Sequence, residues 1–163
     1  MRVRLYSGEG VPALLTRRRF LNFLRRAAEL TGHGDAEGVF QFILLSAEEM
    51  AELNGLHLRH QGATDVITYD YRADAILPSP DAIVAEIFIC PEVAASQGRK
   101  FGQSQSREIC LYAVHGLLHL QGEDDLTEAA RASMREAEAK TLRALSPRFR
   151  LDELVRFQND NTE

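Results

Sequence analysis

Residues 109–120 read Ile-Cys-Leu-Tyr-Ala-Val-His-Gly-Leu-Leu-His-Leu, and apart from the two histidines almost nothing in the stretch favours water. A helix apolar on nearly every side must be enclosed, so the rest of the chain has to build walls around this one. His115 and His119 stand four residues apart. At about 3.6 residues per turn that spacing stacks them on one face, where both imidazoles can converge on a single ion.

A lone histidine in such a helix is more often a hydrogen-bonded core residue than a ligand. The pair is followed three residues later by Gly122, which can leave the helix through a left-handed turn. The chain then folds back and offers a third ligand. Asp125 is the side chain at the fitting interval, with Asp124 as the competing candidate beside it. Two imidazoles, one carboxylate and an open fourth position describe a catalytic metal site, not a closed structural one. The expected cofactor is one Zn2+, although a carboxylate ligand widens tolerance to other divalent metals.

Metalloproteases use the same spacing as H-E-x-x-H-x-x-G-x-x-H/D, with the glutamate as general base. Gly116 occupies that position, so the base is missing. Glycine in mid-helix costs on the order of 1 kcal/mol against alanine, which implies a close neighbour or room for substrate at Gly116.

The walls are legible as alternating elements. Arg2–Tyr6 alternates as a half-buried strand, and apolar residues from Pro12 to Leu30 recur at helical spacing until Thr31-Gly32. Val39–Leu45 reads as a strand and Ala47–Leu56 as a helix opened by a Ser46/Glu49 capping box. Asp65–Tyr71 and Ile83–Cys90 are strands separated by a proline-rich loop, Leu77 to Asp81. Pro91 starts a helix to about Lys100, Ser104 or Ser106 caps the histidine helix, and a last helix runs from Thr127 to Leu145. The class is therefore α+β: a small mixed four-stranded sheet packed by about five helices in a single domain. Residues 1–147 are read as one metal-dependent hydrolase domain and 148–163 as a C-terminal tail, mobile at its end from Asn159.

Composition narrows the partners. No stretch approaches the roughly 20 apolar residues of a membrane span, so no membrane is expected. Met1 to Gly10 lacks the charged start and apolar run of a signal peptide. Cys90 and Cys110 are the two cysteines, read as reduced thiols of a cytoplasmic protein. The net charge of −5 argues against a chain that coats nucleic acid non-specifically. Yet residues 1–31 hold seven arginines against two acids, with Arg17, Arg18, Arg19, Arg25 and Arg26 inside one helix. That cluster reads either as a solvated helix face or as a phosphate-contacting patch.

His115 to Asp125 resembles the H-G-x-L-H-L-x-G-Y-D-H signature of the YbeY family, matching nine of its eleven positions. The departures are Glu123 for tyrosine and Asp125 for the third histidine, the latter still ligand-capable. Leu53-Asn54 followed by Thr64–Tyr69 is similar to the family's L-N…T-D-V-L-S-F segment. Ala85-Glu86-Ile87 stands where members have G-D-I, and Met134-Arg135 with Glu138 is similar to the closing helix. The resemblance spans roughly residues 40–140. It implies a metal-dependent, single-strand-specific endoribonuclease of ribosomal RNA maturation, acting at the 16S 3' end and in ribosome quality control. RNA and the ribosome or a subunit are the implied partners, and a small mixed sheet with surrounding helices is the implied fold.

Members also carry an arginine before the T-D-V segment. Counting back from Thr64, Leu58 holds that register and Arg59 follows, so Arg59 reads either as the residue that takes over binding of the scissile phosphate or as a surface arginine of a loop. His57 and His60 are read as solvent- or substrate-facing, not as ligands. Two other readings remain open: a metallopeptidase-like hydrolase with a displaced base, and a non-catalytic ribosome-associated metal-binding protein. The oligomeric state is not legible.

Overall fold

A computed structural model describes residues 1–58, 65–74 and 79–159. Four strands form one sheet: β1 (Arg2–Ser7), β2 (Val39–Leu44), β3 (Val66–Asp70) and β4 (Ile83–Ile89), in the order β1-β2-β4-β3. The first three neighbours run parallel, and β3 closes one edge antiparallel to β4, with Thr68 opposite Ile87. Central β2 is apolar at all but one position because both its faces are covered, whereas edge strand β1 buries only Val3 and Leu5.

Five helices pack around it: α1 (Arg17–Ala28), α2 (Ala47–Leu58), α3 (Pro91–Phe101), α4 (Gln105–Leu120) and α5 (Glu128–Leu145). Helix α4 is the enclosed one, touching α1, α3, α5, β3 and β4. Its Ile109, Ala113, Val114 and Leu117 share a core with Phe20, Phe23 and Leu24 of α1 and with Phe40, Phe42 and Ile87 of the sheet. A smaller cluster, Leu45, Met50, Ile67 and Cys90, is packed against by Ala47 and Leu53 of α2. This is the mixed-sheet α+β domain expected from the periodicity.

Ser46 caps α2, with the Glu49 amide donating to Ser46 Oγ at 3.2 Å, the serine half of the expected capping box. Ser104, not Ser106, caps α4, accepting from the Arg107 amide at 3.1 Å. Ser106 instead ties down the chain terminus, accepting from the Val155 amide at 2.9 Å and donating to the Leu151 carbonyl. Residues 148–158 accordingly sit within the domain, with Phe149, Leu151, Leu154 and Val155 buried. Of the end expected to be mobile, residues 160–163 lie outside the described residues.

Helix α1 starts at Arg17 and not at Pro12, because the backbone before it is engaged elsewhere. Leu14 bridges Phe157, the Leu15 amide donates to the Arg156 carbonyl, and the Gln158 amide donates to the Ala13 carbonyl. The helix ends in a widened turn, Glu29–His33, with Gly32 at φ 90°. A side chain there would collide with Gln121. His33, buried and held neutral by desolvation, hydrogen-bonds the Leu117 carbonyl at 2.9 Å and so pins this turn to the end of α4.

Candidate metal centre

Helix α4 ends as the sequence requires. Gly122 has φ 96°, its amide donates to the His119 carbonyl at 3.0 Å, and the Glu123 amide donates to the Leu118 carbonyl at 3.1 Å. These two bonds make a Schellman stop, which reverses the chain sharply enough to bring Asp125 back over the histidines. Asp124 is turned away, its carboxylate accepting from the Leu126 amide at 3.1 Å. Of the two candidates, Asp125 is the one the fold delivers.

The His115 and His119 Nε2 atoms stand 3.0 Å apart, and each lies 3.9 Å from Asp125 Oδ2. Among the described residues this trio is the group of histidine, cysteine and acidic side chains whose donor atoms converge within 4.8 Å. Donors at 2.0–2.2 Å from an ion in a tetrahedral arrangement stand about 3.4 Å from one another. The observed spacings bracket that value, so the residues present fit a small divalent cation. All three are partly exposed, Asp125 most of all, which leaves one side of the trio open to solvent.

In the sequence, Glu138 stands out only through the resemblance, which attaches no task to it. It is buried, and its Oε1 lies 3.1 Å from His115 Nδ1. A proton held on Nδ1 by that carboxylate leaves the Nε2 lone pair aimed at the shared point, the usual support of a metal-bound histidine. The separation of 23 residues hides this pairing from any local pattern.

Burial opposes charge on His115. The hydrogen bond and negative charge of Glu138, with Asp125 and Asp65 adding, outweigh it and hold the imidazole pKa above 6.5. In the metal-free protein the charged ring therefore stabilises the fold below that ordinary value, and this contribution fades as pH rises through the elevated one. Metal binding needs the neutral ring, so affinity should be lost as pH falls through the same elevated value. Glu138→Gln is expected to move that midpoint downward and to weaken metal binding by about 10–100-fold. Calorimetric titrations across about pH 5–8 would reveal both shifts. An unmoved midpoint in the variant would rule out this role for Glu138.

Gly116 faces the sheet, where a Cβ would stand 2.9 Å from Ile87 Cγ2 and 3.0 Å from Thr68 Oγ1. Of the two reasons offered by its sequence, the close neighbour is the one realised. A glutamate base at that position would start from a Cβ already pressed into the sheet. Arg72 anchors the same region from β3's far end. It pairs with both oxygens of Asp70 at 2.9 and 2.7 Å and donates to the Leu120 carbonyl, placing a cation on the α4 C-terminus. Arg59 and His60 lie outside the described residues, as does the side chain of His57. Both cysteines are buried thiols. No helix of the described residues is long and apolar enough to cross a membrane.

A family model described as Endoribonuclease YbeY matches residues 15–146. Curated relatives carrying that description include one from Salinibacter ruber, 35% identical over 69% of this chain and 76% of its own length. One from Carboxydothermus hydrogenoformans is 32% identical over 77% and 85%, and one from Bacteroides thetaiotaomicron 30% identical over 84% and 95%. The solution structure of TM1509 from Thermotoga maritima superposes with a TM-score of 0.62 over 99% of both chains at 22% identity, a likeness of fold. With most of its length inside the family match and relatives above 30% identity, the chain belongs to the endoribonuclease YbeY family.

Proposed function

We propose that this protein is a metal-dependent endoribonuclease that cuts single-stranded RNA during ribosomal RNA maturation. The observation that carries the reading is the convergence of two imidazole nitrogens and one carboxylate oxygen on a solvent-facing point, with Glu138 fixing the first ring. His115, His119 and Asp125 would hold one divalent ion, with zinc as the proposed metal. When bound, that ion supplies Lewis-acid polarisation of a phosphoryl oxygen and a lowered pKa for water. The residues do the rest: the three donors set the ion's position, the Schellman turn holds Asp125 in register, and Glu138 keeps the His115 proton on Nδ1. Arg59 is proposed to contact the scissile phosphate.

Family membership supports RNA as the substrate, and accessible bases favour the single-stranded form. Action at the 16S 3' end, in ribosome quality control and in contact with a ribosomal subunit follows from the same resemblance and is part of the proposal, as is a cytoplasmic setting, which the two thiols support. The crowded Gly116 position weighs against a peptidase with the usual base.

The test compares zinc-loaded protein with chelator-treated protein on fluorescent single-stranded and duplex RNA, with casein as a protein control. Cleavage of the single strand that chelator removes and zinc restores is expected. Cutting that ignores the chelator, or cutting of casein alone, would overturn the proposal.

A further inference from the structure

An enzyme that takes a polyanion has an electrostatic difficulty in this chain. The metal centre is framed by Asp65, Asp125 and Glu138, and residues 32–163 hold twelve basic against twenty-two acidic side chains. The compensating charge is gathered on α1, which packs against α4 in the same core. Helix α1 contains five arginines and no acid, unlike an ordinary solvated face, where opposite charges alternate about one turn apart.

The individual arginines differ in what they already do. Arg17 donates to the Leu5 carbonyl, Arg26 pairs with Glu29 at 2.9 Å, and Arg2 pairs with Asp81 at 2.6 Å. Arg18 and Arg19 are exposed with no ionic partner among the described residues, and Arg25 reaches only Asn22, at 3.4 Å. Arg4, half-buried, faces Arg25 across a groove of about 480 Å³ lined by Met1, Arg2, Val3, Arg4, Arg25 and Glu29. The single acid in that groove is the one Arg26 already neutralises. The next turn of chain, Glu29–His33, packs its Gly32 on Gln121 and bonds His33 to Leu117. The groove therefore opens at the same end of the molecule as the last turn of α4 and its ligands.

We infer that this groove, continued by Arg18 and Arg19 along α1, binds the sugar–phosphate backbone of the RNA strand outside the point of cleavage. The inference rests on the RNA-cleaving reading for its ligand. It assigns a second contact region that lets an acidic protein hold a long anionic strand while the metal centre engages one phosphodiester.

The experiment measures binding without cleavage: fluorescence anisotropy of a labelled single-stranded RNA with the full chain carrying His119→Ala, across a salt series. Adding Arg18→Ala and Arg25→Ala should weaken binding at least about tenfold at low salt. It should also flatten the log K against log salt slope by about 1.4, two phosphate contacts at about 0.7 each. A control pair, Arg143→Ala with Arg150→Ala, removes the same charge elsewhere on the surface and should leave the slope in place. Equal losses from both pairs, or none from the α1 pair, would overturn the inference. If zinc-loaded parent protein fails to cut RNA while α1-dependent binding persists, the catalytic reading falls and this one stands.

Discussion

His119→Ala is expected to abolish stoichiometric divalent-metal binding and with it RNA cleavage, while the metal-free variant unfolds within about 1 kcal/mol of its parent. The ring is part-exposed and among the described residues its one hydrogen-bond partner is His115 Nε2, so its removal strands no fully buried group there. The loss of function should exceed the roughly 10–100-fold typical of a supporting residue, because a donor itself is gone. His115→Ala should be equally inactive but less stable. It leaves the buried Glu138 carboxylate without its imidazole, at a cost of about 1–3 kcal/mol. Metal analysis by plasma emission, circular dichroism melting and the RNA assay distinguish the two variants. An active, metal-loaded His119→Ala protein would refute the site.

The second large effect is at Gly116. Alanine there gains about 1 kcal/mol of helix propensity. It also places a methyl 2.9 Å from the γ-carbon of Ile87, a fully buried β-branched side chain that cannot swing aside. Overpacking of this kind costs about 1–3 kcal/mol, so a net loss of up to about 2 kcal/mol is expected. At about 2–4 °C per kcal/mol for a domain this size, Tm should fall by several degrees. Gly116→Glu adds an uncompensated buried carboxylate to the clash and should lose more than about 4 kcal/mol, a large part of a typical domain's stability. That variant should aggregate or melt near ambient temperature. A Gly116→Ala protein as stable as its parent would mean that α4 does not approach the sheet this closely.

Much of the centre was legible because it is local. The i, i+4 histidines, the glycine stop and the acid three residues on all lie within one helical turn and its reversal, where geometry follows directly from spacing. The same holds for the Ser46 and Pro91 helix starts. What the sequence hid is long-range. Glu138 meets His115 only because α5 folds back along α4, and Ser106 could have capped α4 until Val155 claimed it. The start of α1 was misplaced for a similar reason: Leu14 has helical spacing, yet a strand-like bridge to Phe157 takes its backbone. Choosing Asp125 over Asp124 was possible from the interval, but only the turn shows Asp124 occupied by the Leu126 amide.

The proposed function stands or falls on three side chains sharing one cation. X-ray absorption at the zinc edge of the reconstituted protein, paired with anomalous scattering from its crystals, tests it most directly. One ion is expected, with two imidazole nitrogens at about 2.0–2.1 Å and a carboxylate oxygen at about 2.0–2.2 Å, contributed by His115, His119 and Asp125. An anomalous peak elsewhere, or Asp125 directed into solvent while the two rings hydrogen-bond each other, would contradict it.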